Sequence, residues 1–519
     1  MRQHSFTTRI KSLAVVFGIA MAFASCANED VAQNSTNPED GNDKNLTTFV
    51  AGDETKTRTS MDYTTGDFYW EAGDYIYVKD DNNVWQKSAN APTNKVAAFK
   101  YKVPGKFTAS TSYKVYYLGK NSSGNDVTIS STQTQTTPDN TEHFGESGDY
   151  GSATANKITG KQQFQFTLEH QPAYLVFQPY TSNTILQNCY LTKVEVTSDN
   201  DIAETYTINP STDNLDASAG GKQIVLTTGG GFPLSNSSVS RTTNGAYMII
   251  KPGTHTLKVR YWVKDNVTGT EGTITKLLPS TAYASNTYYD MTANLNIRDY
   301  DGYHYYMWDA QDQYWKGHEW DQGGDQPTLN YHSSGNYPQS GSRYCNETFP
   351  GFQISNPAHA SCKDLPNANE ASWYCVYGDP RWDGDELWTT MGHLYKGGMW
   401  FKKKSVLITE GHYNKNYGAN GTTDLGTIYF SYTNNSIQPG LPSAANAGNY
   451  FYLPALGHYY YGKFDSVGSY GTYWTSTAYP WTGFSGAYHF YFYNNFVALE
   501  NNVRTEGYRA QKFSDFGDN

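Results

Sequence analysis

Phe164-Gln165-Phe166-Thr167-Leu168 alternates apolar and polar side chains, the period of two that a half-buried antiparallel strand requires. The same period recurs in Asp74-Tyr75-Ile76-Tyr77-Val78 and in Thr256-Leu257-Lys258-Val259-Arg260-Tyr261-Trp262-Val263. From Leu46 to about Ile297 such short strands are separated by clusters of Gly, Asn, Asp, Ser and Thr, and no stretch keeps a helical period over three turns. The chain has 519 residues, room for about three domains at roughly 150 residues each. Two β-sandwiches in series are expected here, over 46–170 and 171–297, with the boundary between Lys161 and Pro179.

Upstream of the first strand lies an address. Arg2, Arg9 and Lys11 precede the apolar run Leu13 to Ala22, which is too short to span a bilayer and has the layout of a secretory signal over residues 1–25. Phe23-Ala24-Ser25-Cys26 resembles a bacterial lipobox, in which cleavage before the cysteine exposes Cys26 for acylation and membrane anchoring. Phe23 stands where Leu is usual, so cleavage nearby by an ordinary signal peptidase is the alternative. Residues 26–45 carry almost nothing apolar and read as a flexible tether. Acidic residues just after Cys26 resemble the export signal that sends Bacteroidales lipoproteins to the outer leaflet, which implies an outer-membrane, surface-exposed location.

The strand segments carry a family resemblance. Thr55-Lys56-Thr57-Arg58-Thr59 followed by Phe68-Tyr69-Trp70-Glu71-Ala72-Gly73-Asp74 resembles the opening of the Bacteroidales fimbrillin family. The pattern Phe164-x-Phe166-x-Leu168-x-His170-x-x-Ala173-Tyr174-Leu175-x-Phe177 and the closing Asn286-Thr287-Tyr288-Tyr289-Asp290-Met291 are similar to that family as well. The resemblance covers Leu46 to Ile297 and implies two transthyretin-like sandwiches, export as a lipoprotein, and assembly by strand exchange with other fimbrial subunits. In that scheme Leu46 to Ala51 is the strand removed by an arginine-specific protease and Arg58 the cleavage site. Otherwise Arg58 is an exposed basic residue of a linker.

From Arg298 onward Trp becomes frequent, and between Asn449 and Phe496, 19 of 48 residues are Phe, Trp or Tyr. Rings with a polar edge fill cores and also build recognition surfaces at small entropic cost. Asn367 to Trp373, after Pro366, suggests one short helix. Tyr452-Leu453-Pro454-Ala455, Tyr473-Trp474-Thr475-Ser476-Thr477 and the Ala487-Tyr488 strand leading to Arg504-x-x-Gly507-Tyr508 resemble the C-type-lectin-like domains of the major-paralogous and formylglycine-generating-enzyme-like families. That resemblance implies an α+β domain over 298–519. By its place in the framework Trp474 is assigned to core, while Tyr479 and Trp481, beside Pro480 and Gly483, lie in a loop where burial and binding are both open. Alternation puts Tyr488, Phe490 and Phe492 on one face and His489, Tyr491 and Tyr493 on the other, so the latter set with Asn494 and Asn495 is the candidate surface for a glycan or a protein.

Other chemistries find little support. The net charge of −11 offers no basic field for nucleic acid. Cys345, Cys362 and Cys375 are spaced by 17 and 13 residues, which matches no zinc pattern; with Cys189 also present, export allows one bridge among the clustered three. Asp379, Asp383, Asp385 and Glu386 fit no calcium loop and read as a solvated acidic turn. The formylglycine-generating relatives use a pair of cysteines that has no counterpart here, and His393, His412 and His458 stand without a triad or metal-ligand context, so neither an enzyme, a metal nor a cofactor is expected. The expected function is a fimbrium tip subunit that mediates cell adhesion. The alternatives are a lipid-anchored surface glycan-binding protein and an accessory or anchor subunit of the pilus.

Overall fold

The computed structural model describes residues 2–5, 45–52, 60–63, 67–266 and 269–518. Most of the signal segment, Cys26, nearly all of the tether and Arg58 lie outside the described residues.

The fold is mainly β, and its first unit is built around a single internal strand. β1 (Leu46–Ala51) runs antiparallel to β2 (Phe99–Pro104) and parallel to β5 (Gln163–Phe166), so both of its edges are hydrogen-bonded. β3 (Ser112–Tyr117) and β4 (Gly151–Lys157) continue the sheet beyond β5. Alternation then fixes what points inward: Phe49 and Ala51 are fully buried, and the Phe49 ring stacks on Phe164 at 5.1 Å and meets Phe107 edge-on at 5.0 Å. The sheet curls until Ala89 N–H donates to the Lys102 carbonyl at 2.7 Å, bringing its far end back to β2.

The second unit packs two sheets face to face. The smaller one orders β12 (Thr287–Asn294), β6 (Ala173–Tyr180) and β9 (Ala246–Ile250), with Arg2–Ser5 lying antiparallel along the outer edge of β12. The larger one contains β7 (Tyr190–Ser198), β8 (Gln223–Pro233), β10 (Gly253–Lys264) and β11 (Glu271–Tyr283). β6 and β9 are buried almost along their whole length because one face meets the larger sheet and the other meets the first unit.

The two units interlock more than a serial division anticipates. Asp126–Ile129 pairs with Ala203–Ile208, and Thr132–Thr134 runs parallel to β8, so a stretch from the middle of 46–170 joins the sheets of the second unit. This excursion closes the outer edge of β9 with side chains. The Gln133 amide donates to the Ile249 carbonyl and accepts from its N–H (2.8 and 3.0 Å), while Gln135 does the same for Gly245 and Tyr247 (2.9 and 2.7 Å). Two buried glutamines thus replace a strand and leave no backbone edge to pair with another chain.

The larger sheet does not end at β11. One parallel bridge, Thr273 to Glu386, carries it into β13 (Arg381–Thr390), β14 (His393–Lys402) and β15 (Tyr450–Pro454) of the C-terminal head. A second head sheet orders β16 (Gly471–Ala478), β17 (Gly486–Tyr493) and β18 (Phe496–Val503) and packs on α1 (Ala368–Tyr377). α1 is the short helix expected from sequence, and its start is set by a reciprocal capping box between Asn367 and Glu370.

The acidic run is therefore no solvated turn. Arg260 donates to both Asp383 oxygens at 2.8 and 3.0 Å and to Thr273 Oγ1 at 2.7 Å. Glu386 accepts from Thr275 N–H at 3.1 Å and Thr275 Oγ1 at 2.6 Å. Burial, then the neighbouring Asp383 carboxylate, raise the Glu386 carboxyl above its ordinary value. Outside this seam, Asp379 accepts from Tyr450 and Asp385 pairs with Lys396. A strand forced between two domains has to hide its carboxylates, and it does so against groups of the facing sheet.

The expected cysteine bridge is also corrected: Cys189, Cys345, Cys362 and Cys375 are all buried free thiols. They sit in separate packing environments, Cys362 accepting from Asp309 N–H at 3.2 Å and Cys375 donating to the Val497 carbonyl at 3.5 Å. Desolvation raises both thiols to about 12.

Removing the cation from the seam leaves the buried Asp383 carboxylate without its countercharge, next to Glu386. Arg260→Ala should cost about 3–5 kcal/mol, read as a lowered denaturant midpoint. Because the folded Glu386 carboxyl lies above its unfolded value of 4.5, the stability it contributes is complete below that pH and is lost as pH rises. The stability of Glu386→Gln relative to the parent should accordingly increase as pH climbs from 4.5 toward neutrality.

Candidate functional site

β16 and β17 are joined by the loop in which Tyr479 and Trp481 stand. Tyr479 N–H donates to the Gly486 carbonyl at 3.0 Å, closing the loop's base, and Pro480 is buried beneath it. The chain then turns through Gly483 at φ 87°, a left-handed conformation that suits glycine, which turns Trp481 and Phe484 outward. Trp481 is 42% exposed.

Segments remote in sequence complete an aromatic surface around this loop. Tyr479 lies 5.8 Å from Trp481, 5.2 Å from Phe484 and 5.2 Å from Tyr429, with ring planes tilted or edge-on. Phe352, 64% exposed, approaches Trp481 at 6.5 Å. Phe349, Ile354, Ile428 and Phe430 flank the same two segments and are likewise exposed.

One buried cation fixes these loops relative to one another. Arg504 is fully buried; its Nε donates to the Gly486 carbonyl at 2.9 Å, and its Nη1 donates to the carbonyls of Asn346 and Thr348 at 2.6 and 2.9 Å. Its guanidinium lies over Trp308 at 4.4 Å and beneath Phe349 at 5.7 Å. Tyr488 positions the third segment, its hydroxyl accepting from Phe430 N–H at 3.1 Å. The resulting surface is apolar, ridged by rings and held on rigid elements, which suits it to stack on a planar or apolar ligand face.

The second set of sequence candidates lies elsewhere. Counting from Gly486 to Tyr493 at roughly 3.3 Å per residue, the two ends of β17 are about 23 Å apart, so Trp481 and Tyr493 belong to different surfaces. Asn494 and Asn495 form the exposed turn between β17 and β18. Tyr493 is half-buried and stacks on Tyr470 at 4.6 Å; half-buried Tyr491 donates to Glu500 at 3.0 Å. Both rings are already engaged on their flanks.

His489 is a correction. It is 3% exposed, lies between the rings of Tyr491 (4.6 Å) and Tyr508 (5.0 Å), and its Nδ1 bonds Thr472 Oγ1 at 3.1 Å. Burial lowers it to about 3, so the ring is neutral and belongs to the core. Alternation placed it correctly on the face opposite Phe490, but Tyr508 and Trp474 cover that face at this point.

The isolated histidines do not converge: His412 stacks on Tyr377 at 4.0 Å, half-buried His458 lies between Tyr470 and Tyr508, and His393 meets Thr328 Oγ1 at 3.4 Å. Among the described residues no group of three His, Cys, Asp or Glu side chains is arranged to hold a metal ion. Phe349, Phe352, Tyr429 and Phe430 escaped sequence reasoning because each stands in a loop of ordinary aromatic density. Only their exposure and proximity mark them.

No protein-family model matches the chain, and no curated protein does. Among solved structures it is similar to a candidate cell adhesion protein from Bacteroides ovatus, with 14% identity over 48% of this chain and 92% of that one, at a TM-score of 0.30. A candidate cell adhesion protein from Bacteroides uniformis gives 17%, 48%, 92% and 0.29. The fimbrial anchor protein Mfa2 from Porphyromonas gingivalis gives 13%, 45%, 83% and 0.23.

Surface and core candidates should separate on mutation. Trp481→Ala should change folding stability by no more than about 0.5 kcal/mol, whereas His489→Ala should destabilise by roughly 2 kcal/mol or more, as measured by chemical denaturation of the two variants side by side.

Proposed function

We propose that this chain is the precursor of a fimbrial tip subunit: exported as a lipoprotein through Cys26, assembled by exchange of β1, and adhesive through its head. The position of β1 is the observation that carries the reading. It is an internal strand with hydrogen bonds on both sides, yet it precedes the rest of the unit and is tied to it through the segment that contains Arg58. Cleavage there releases β1 and leaves two unpaired backbone edges, on β2 and β5, flanking a groove floored by Phe107 and Phe164. A strand from a neighbouring subunit with apolar side chains at alternate positions would restore both ladders.

The tip position follows from the C-terminal side. β12, the last strand of the second unit, leads into more than 200 further residues, and the head is held to the second unit by a shared sheet and the buried Arg260–Asp383 pair. Among the described residues the last strand of the second unit continues into the head instead of standing free, which supports a subunit that accepts a strand and ends the filament. The aromatic surface around Trp481 then faces outward as the adhesive site for a glycan or protein on another cell.

The measurement is the mature N-terminus in purified filaments. A chain beginning at Thr59, with label from head-directed immunogold only at filament ends, is expected; an intact acylated Cys26 would instead favour the lipid-anchored glycan-binding reading. Arg58→Ala should block incorporation without unfolding the precursor. Before processing, Phe49→Ala should cost about 3–5 kcal/mol, because the ring is fully buried, and thermal melts of the precursor check this.

A further inference from the structure

A second pocket in the head, sharing no residue with the surface around Trp481, has a buried acid at its base. Its volume is about 230 Å³, and Tyr314, Tyr337, Tyr344 and Tyr461 line it together with the polar residues Gln339 and Thr505. Tyr337 and Tyr461 meet nearly edge-on, with centroids 6.1 Å apart and planes at 87°. Glu506 lines it from the turn after β18; it is 6% exposed, and its buried Oε2 has no hydrogen-bond partner. A buried carboxylate without a cation or donor is costly, and native structures normally supply one. Here Oε2 receives neither, while the walls present ring faces of the kind that attract cations.

We propose that this pocket receives the ammonium end of a lysyl side chain from a partner protein. The four-carbon stem lies against the tyrosine rings, and the ammonium donates to the Glu506 carboxylate, providing the missing charge. A stem that is apolar along its length with a single charged tip matches a lining in which four rings predominate and Glu506 is the one acid, with Gln339 and Thr505 as the remaining polar side chains. A sugar ring presents hydroxyls around its whole rim and matches it less well. This inference goes beyond the proposed adhesion surface and holds whether or not the chain polymerises.

The protonation state supplies a signature. Burial alone pushes the unliganded Glu506 carboxyl up to about 8. The other ionisable groups nearby are the phenols of the four wall tyrosines and of Tyr508, Cys345 and Glu347 beside Tyr344, and Arg343, whose Nη1 is occupied by the carbonyls of Tyr314 and Asn336. Binding an ammonium near pH 7 requires the carboxylate, so a proton leaves as the ligand enters. Affinity should rise about tenfold per pH unit up to about 8 and then level off, since the ligand amine itself stays charged to about pH 10.

The test is calorimetric titration of the full exported chain with Nα-acetyl-lysine N-methylamide, in two buffers of different ionisation enthalpy. The expected result is binding with proton release, at least tenfold weaker binding of the Nε-acetylated analogue, and at least tenfold loss in Glu506→Gln. Tyr461→Ala, an exposed wall position, should weaken binding severalfold with an unchanged melting temperature, which keeps the test valid should Glu506→Gln misfold. Equal affinity for the acetylated analogue, tighter binding of glucosamine or N-acetylglucosamine, or no binding at about 10 mM ligand would each overturn the proposal. Trp481→Ala should leave this titration unchanged, so failure here is distinguishable from failure of the adhesive surface.

Discussion

The contact between Arg260 and Asp383 sets the arrangement of the C-terminal half. A guanidinium on one sheet strand and a carboxylate on another are both taken out of water, and each is tolerated only because the other is there. Around them Glu386 accepts from the Thr275 backbone and hydroxyl, Trp400 Nε1 donates to Asp383 at 3.2 Å, and Lys396 caps the Glu271 carbonyl at 2.9 Å. The pairing makes β11 and β13 neighbours, which continues one sheet from the sandwich into the head. The orientation of every surface on the head, the ring-lined patch and the tyrosine pocket included, is thereby fixed relative to the second unit.

The head's aromatic content is mostly structural, and tyrosine makes that affordable. Tyr305, Tyr473 and Tyr459 are fully buried, and each hydroxyl donates to a backbone carbonyl, of Leu456, Pro454 and Pro327 respectively, at 2.5 to 2.6 Å. Such a residue fills a core while satisfying loop carbonyls that would otherwise be buried without a partner. Short strands and long loops can then be packed without many aliphatic side chains. Rings left over at loop tips, where no second layer covers them, stay exposed, as at Phe352 and Trp481.

Edges show a related economy. β9 ends its sheet against two glutamine amides, whereas β12, at the other margin, is paired among the described residues by Arg2–Ser5, and β1 is hydrogen-bonded on both of its edges. An exposed sheet edge offers unpaired backbone groups to any passing strand, so a β protein has to cover its edges. Side-chain amides occupy one margin, and a short N-terminal segment, Arg2–Ser5, lies along another.

Local period and composition by themselves determined the β character, the strands at Phe164 and Thr256, the capped helix after Asn367, and the inward face of Tyr488, Phe490 and Phe492. Each depends on neighbours within a few residues, so it is written in the order of side chains. Tertiary structure alone decided the burial of His489, whose polar face is covered by Tyr508 from another strand, and the free state of the cysteines, which pack in separate places. It also turned an acidic run from presumed turn into a domain seam, because its cation stands 123 residues away. The ring surface about Trp481 and the carboxyl of Glu506 belong with these. Exposure and the absence of a partner are properties of what the rest of the chain brings near, and no local pattern encodes them.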